Sequence, residues 1–214
     1  MLDRTKKWTI RKNFRYVGID NMKKNIMNLP KSVREPIVGL WITGCRASEY
    51  NALTKDMFQW MQDANGKEFL FVSGAPLRKQ RKKEWVVGEN GEPVYDKFGR
   101  RKYVLIHIPD ATRNFPIFID DPLVKEFGDF LFELDDRERL YNYTRQTLFK
   151  YTMKGNYRPH QLRCERAMYF VAKKNMGILF LKGWFGWASD MMPSWYVKLS
   201  PIDLVNMMYR GGVL

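Results

Sequence analysis

The sequence is poor in the residues that build cross-links and metal sites. Its 214 residues include two cysteines, Cys45 and Cys164, and two histidines, His107 and His160. Two cysteines cannot form a disulfide framework, so a reduced, cytosolic compartment is the expectation. Neither has zinc-type spacing, so ordinary buried thiols are expected and no metal site. Long apolar runs are also missing. The longest, Ile37 to Cys45, has nine residues and contains Gly and Thr, too short to span a bilayer. Met1 to Tyr16 is basic with no apolar stretch behind it, so no secretory signal is expected. Acid is scarce as well: 23 Asp and Glu face 37 Lys and Arg, a net charge of +14 at pH 7. That surplus suits a polyanionic partner. Nucleic acid fits better than a membrane surface, because the basic blocks do not fall on an interfacial amphipathic helix.

Hydrophobic residues make up 45% of the chain and aromatics 15%, which is enough for a packed core. The charges are segregated. Basic blocks occupy the N-terminus (Arg4 to Arg15), Arg78 to Lys83, and Lys97 to Lys102, whereas acids crowd Asp120 to Glu138. A basic face and an acidic face are therefore expected.

Helical spacing of Val33, Ile37, Leu40 and Trp41 predicts a buried helix over Ser32–Trp41, and a second helix is expected over Ala47–Leu53. Glu68–Ser73 reads as a strand. Trp85–Val87 and Pro93–Tyr95 read as strands around a turn at Glu89-Asn90-Gly91-Glu92, and Tyr103–Ile108 is the best strand pattern. An amphipathic helix is expected over Pro122–Arg139, with its acids outward. Further helices are predicted at Tyr143–Met153, His160–Lys174 and Ile178–Trp184, with two short ones near Pro193 and Pro201. The fold class is α+β, mainly helical, with a small antiparallel sheet.

Four islands carry candidate chemistry: Thr43-Gly44-Cys45-Arg46-Ala47-Ser48-Glu49; the basic stretch around Lys79; Pro159-His160-Gln161-Leu162-Arg163; and Gly186-Trp187 followed nine residues later by Tyr196. Each alone has a plain structural explanation: an Arg46–Glu49 ion pair, a solvated loop, a helix start and aromatic packing.

Together, in this order and spacing, the islands resemble the tyrosine recombinase (phage integrase) superfamily, with wording similar to archaeal cellular and viral members. The first island is similar to the family's first arginine motif and the third to its H-x-x-R motif. In the last, Trp187 stands where the family usually has His, and Tyr196 is in the nucleophile position. The resemblance implies a catalytic domain over 31–200, preceded by a basic segment at 1–30 (a remnant of a linker or core-binding region) and followed by a tail helix at 201–214. It also implies transesterification through a 3′-phosphotyrosyl link, without metal, ATP or other cofactor.

In that chemistry Tyr196 would attack phosphorus. Arg46 and Arg163 would hold the non-bridging oxygens in two-point contacts, and His160 would take or relay the phenol proton. Lys79 is the first choice for protonating the 5′ leaving group, with Lys82, Lys83 and Lys102 as alternatives, or a second hairpin carrying Arg113. Trp187 would donate from its indole N–H or pack the nucleophile segment. Glu49 is expected to orient Arg46. Arg78, Arg81, Lys82, Lys83 and Lys102 would contact DNA phosphates. The implied partners are double-stranded DNA and further copies of the chain, as a tetramer on DNA and weakly associated or monomeric without it, in a nucleoid-associated cytoplasmic setting. A type IB topoisomerase-like or resolvase activity, or a non-catalytic DNA-binding module, would use the same features differently.

Overall fold

A helical stretch that is apolar on every side belongs in the interior, and the second half of Lys31–Thr43 is such a stretch. From Pro36 to Thr43 all its residues are buried. Lys31–Thr43 is α2 in the computed structural model, which describes residues 17–77, 81–108 and 111–188. It is preceded by α1, Ile19–Met27, whose Ile19, Met22 and Ile26 join the same core. The remaining helices are α3 (Ala47–Tyr50), α4 (Val124–Phe132), α5 (Arg145–Lys154), α6 (Pro159–Lys174) and α7 (Ile178–Phe185). Of these, α4, α5 and α6 pack directly on α2.

Between the helical halves lies a three-stranded antiparallel sheet, β1 (Phe58–Gln62), β2 (Glu68–Pro76) and β5 (Thr112–Phe118), in the order β1-β2-β5. Leu70 and Val72 of β2 and Phe115 and Ile117 of β5 alternate into the core, as period-two patterning requires. The β2–β5 ladder shifts register between Val72 and Ala75, where Gly74 has φ 68° and donates its N–H to Asn114 Oδ1 at 2.8 Å. Glycine takes this conformation without steric cost, so the bulge sits where the sequence allows it.

In chain order a separate two-stranded ribbon lies between β2 and β5. Here β3 (Arg81–Trp85) pairs antiparallel with β4 (Tyr103–His107). The turn expected at 89–92 is present, closed by Gly88 and Glu92 across a Val87–Pro93 bridge. A second turn follows at 96–100, where Asp96 Oδ1 accepts from Phe98 N–H and Arg100 N–H.

The α+β class with a small antiparallel sheet agrees with the sequence reading, and so do the helices at α2, α5, α6 and α7. Three expectations need correction. The helix expected over Pro122–Arg139 runs only from Val124 to Phe132. Residues after it are held in turns by tertiary contacts: Lys55 N–H donates to Glu138 O at 3.0 Å, Asp56 N–H to Asp136 O at 2.9 Å, and Lys55 Nζ to Leu134 O at 2.6 Å. Asp121, read as part of the outward acidic face, is instead buried and paired with Arg166. The helix expected over Ala47–Leu53 ends at Tyr50, and its last residues turn toward Leu140.

Candidate functional site

The site is built where two helices end. Helix α2 stops at Gly44, whose φ of 55° is left-handed, and α7 stops at Gly186, with φ 62°. A Cβ on Gly44 would lie 2.6 Å from Trp184 Cζ3, and one on Gly186 would lie 2.8 Å from Leu77 Cδ1. The two glycines therefore let the α2 terminus, the α7 terminus and the β2 end come together.

Helix C-termini leave carbonyls unpaired and carry partial negative charge. Two buried arginines meet both demands. Arg163 of α6 donates to Gly44 O and, at 2.9 Å, to Phe185 O. Arg113 of β5 donates to Trp184 O, to Thr43 O at 3.0 Å and to Cys45 Sγ at 3.2 Å. The loop carrying Thr43–Arg46 and the end of α7 are thus stitched together by two guanidinium groups.

Arg46 caps α3. Its N–H donates to Glu49 Oε2 at 2.9 Å and its Nη1 to Glu49 Oε1 at 2.5 Å. Arg163 Nη1 lies 3.6 Å from Glu49 Oε2. Burial pushes the Glu49 carboxyl up, but the charges of Arg163 and Arg46 and the hydrogen bonds from Arg46 outweigh it, holding the group below its ordinary value. Glu49 and Arg163 are closed off from solvent, whereas Arg46 keeps 24% of its side-chain surface open. Trp187 is buried and stacks on Phe185 with centroids 4.6 Å apart and planes 9° apart, and the Arg163 guanidinium lies 5.8 Å from its ring.

The structure therefore brings Arg46, Glu49, Arg163 and Trp187 together. His160 stands exposed in the first turn of α6, three residues before Arg163. Arg163 differs from the open fork expected of it, because its guanidinium is engaged with the two helix ends. The expectation that Glu49 orients Arg46 agrees with the observed pairing. Lys102 is exposed near the base of the ribbon turns, and Arg81, Lys82 and Lys83 occupy β3. Arg78, Lys79, Tyr196, the basic segment before residue 17 and the tail at 201–214 lie outside the described residues.

Several structural residues were not anticipated. Arg166 is fully buried and pairs with Asp121, its guanidinium 4.5 Å from the Trp41 ring and 4.2 Å from that of Phe170. Glu165 is buried and accepts from Val17 N–H at 2.8 Å and Gly18 N–H at 3.3 Å, which fixes the entry into α1. Burial raises its carboxyl to about 7, against a smaller opposing effect of those two hydrogen bonds. The signal for both was position. Glu165 and Arg166 fall in a helix with apolar residues on nearly every side, so their charges had to find internal partners.

Among the described residues no group of three or more His, Cys, Asp and Glu is placed to hold a metal ion, and no helix is long and apolar enough to cross a membrane. Cys45 and Cys164 are both buried.

This arrangement of helices around a small antiparallel sheet is the fold of a tyrosine recombinase catalytic domain. Among solved structures it is similar to XerA recombinase, with a TM-score of 0.55 and 17% identity over 92% of this chain and 63% of that one. A lambda integrase dimer bound to a COC′ core site also matches, with a TM-score of 0.45 and 16% identity over 85% of this chain and 47% of that one. No protein-family model and no curated protein matches the sequence.

Proposed function

We propose that the chain is the catalytic domain of a site-specific DNA recombinase or integrase, cutting and rejoining DNA through a phosphotyrosyl intermediate on Tyr196. The observation that carries this reading is the meeting of Arg46, Glu49, Arg163 and Trp187, drawn from distant segments, within a tyrosine-recombinase fold.

Arg46 is the phosphate ligand. It is partly open, its backbone is fixed at a helix cap, and one edge of its guanidinium is held by Glu49. A pre-positioned fork stabilises the negative oxygens of a pentavalent transition state with little reorganisation. Arg163 supplies fixed positive charge from beneath and keeps the loop in place. His160 relays the phenol proton, which matters because a phenol with a pKa of about 10 is a poor nucleophile at neutral pH. A lysine on the β2–β3 connection, Lys79 in the first instance, protonates the leaving oxygen. Trp187 holds the end of α7 against Arg163. Exchanging one phosphodiester for another nearly conserves bond energy, so the cycle needs no nucleotide. Double-stranded DNA is the substrate, and copies of the chain assemble on it, the tail at 201–214 serving as a contact between protomers.

The test is to trap the intermediate on a nicked duplex that cannot religate, digest it with trypsin, and sequence the DNA-linked peptide. The expected link joins Tyr196 to a 3′ phosphate and leaves a 5′ hydroxyl. A link to another residue, or a 5′ phosphate link, overturns the assignment.

A further inference from the structure

The β3–β4 ribbon is an unusual object to leave in water. Its strands pair with each other and not with the three-stranded sheet, and an isolated two-stranded ribbon is marginally stable on its own. It nonetheless presents large apolar side chains. Trp85 is 48% exposed, Val87 55%, Tyr95 56% and Tyr103 44%.

These residues share one face. Trp85 is directly opposite Tyr103, Val87 opposite Pro93, and Tyr95 opposite Arg101, and directly paired residues project to the same side. The Trp85 and Tyr103 rings meet edge to face at 5.8 Å, and the Arg101 guanidinium lies 5.1 Å from the Trp85 ring. At the far turn Phe98 is 71% exposed, with Lys97 Nζ 5.1 Å from its ring. The ribbon is thus an aromatic strip combined with cations. Residues 81–102 hold seven Lys and Arg against four Asp and Glu.

The ribbon continues from β2 and returns into β5. At its base Leu77 packs on Gly186, and Arg113 is bonded to the loop that carries Arg46. Its two ends therefore start from Leu77 and Arg113, which adjoin the proposed phosphate site. Five-residue strands at about 3.3 Å per residue span roughly 17 Å. The major groove of B-DNA, about 12 Å wide, admits a two-stranded ribbon.

We infer that the β3–β4 ribbon is a DNA-reading arm, which lays its Trp85–Tyr95–Tyr103 face in the major groove beside the cleavage point while its lysines and arginines meet the flanking phosphates. This rests on the proposed function, since it takes duplex DNA to be the molecule at Arg46. Apolar ring edges would contact thymine methyl groups there, giving sequence preference that phosphate contacts alone do not give.

The experiment uses the full chain and a random-sequence duplex of about 40 base pairs, a length that accommodates many phosphate contacts. Bromodeoxyuridine replaces thymidine in it, placing a photoreactive bromine at the position of the methyl group in the major groove. Crosslinked peptides are identified by mass spectrometry. Crosslinks within residues 84–104 are expected. Trp85→Ser with Tyr95→Ser should weaken binding about tenfold without changing its dependence on salt. Lys97→Ala with Arg100→Ala should reduce the salt slope by about two. Phe98→Ser, at an exposed turn, should weaken binding with the fold intact by circular dichroism.

Crosslinks confined to other segments, or unchanged affinity in the serine variants, would overturn the arm. So would serine variants that lose self-association in sedimentation but keep DNA affinity, because the strip would then be a protein contact. A Tyr196 adduct without ribbon crosslinks removes the arm and leaves the proposed function standing, whereas absence of duplex binding removes both.

Discussion

Glu49 is shared by two arginines: its Oε1 is 2.5 Å from Arg46 Nη1, and its Oε2 is 3.6 Å from Arg163 Nη1. One buried carboxylate thus balances the charge of a guanidinium that is sealed in and orients another that is partly open. Removing one member of a buried charge cluster leaves the others unpaired, so Glu49→Gln should destabilise the domain by about 3 kcal/mol or more. Chemical denaturation of the variant measures this. Any DNA-cleaving activity should fall even in the fraction that remains folded, because Arg46 loses its anchor.

Arg166 and Asp121 form a second buried pair, surrounded by Trp41, Phe170 and Trp184. Asp121→Ala should cost about 3 to 5 kcal/mol, while Arg166→Met combined with Asp121→Leu should recover most of it, since an apolar pair carries no desolvation cost. Arg166→Lys should not be conservative, because a point charge cannot lie flat among rings as a guanidinium does. Urea midpoints of the four proteins decide this.

Trp187 stacks on Phe185 and sits over Arg163. Trp187→Ala removes that packing and should cost about 3 kcal/mol or more. Trp187→His keeps a flat ring and an N–H donor, so it should be milder in both thermal stability and strand cleavage.

The two buried glutamates give pH effects of opposite sign. Glu165 is raised from 4.5 to about 7 by burial, so the folded protein holds its proton to higher pH than the unfolded chain. Its contribution is fully present below 4.5 and is lost as pH rises through about 7, a change of the order of 3 kcal/mol. Glu49 is lowered, so its contribution is present above 4.5 and is lost as pH falls below that. Melting temperatures across this range should show Glu165→Gln flattening the decline toward neutral pH while leaving the acid limb in place.

Much of the helical framework was legible because its apolar spacing is strong, as in α2 and α6. Other elements were hidden for physical reasons. In β5 the sequence Thr-Arg-Asn-Phe-Pro-Ile-Phe carries Pro116, which argues against a strand, yet β5 is at the sheet edge, where a missing N–H is tolerated. In β1 the residues Phe-Gln-Trp-Met-Gln are largely exposed, so no alternation marks them. Helix α1 had a readable signal in Ile19, Met22 and Ile26 but is otherwise polar. The pattern over Pro122–Arg139 overstated its helix because contacts from Lys55 and Asp56 hold the second half in turns. For the proposed site, the resemblance to tyrosine recombinases singled out Arg46, His160, Arg163 and Trp187. It could not show that Arg163 would be engaged with two helix ends, since that depends on where α2 and α7 stop.

The most direct test of the central claim is relaxation of supercoiled plasmid by the full chain at low salt in the presence of EDTA, stopped with detergent, with Tyr196→Phe alongside. The account predicts relaxed circles and protein-linked DNA that disappear in the variant. Relaxation that persists in Tyr196→Phe, or a folded protein that binds plasmid and never forms the link, would contradict it.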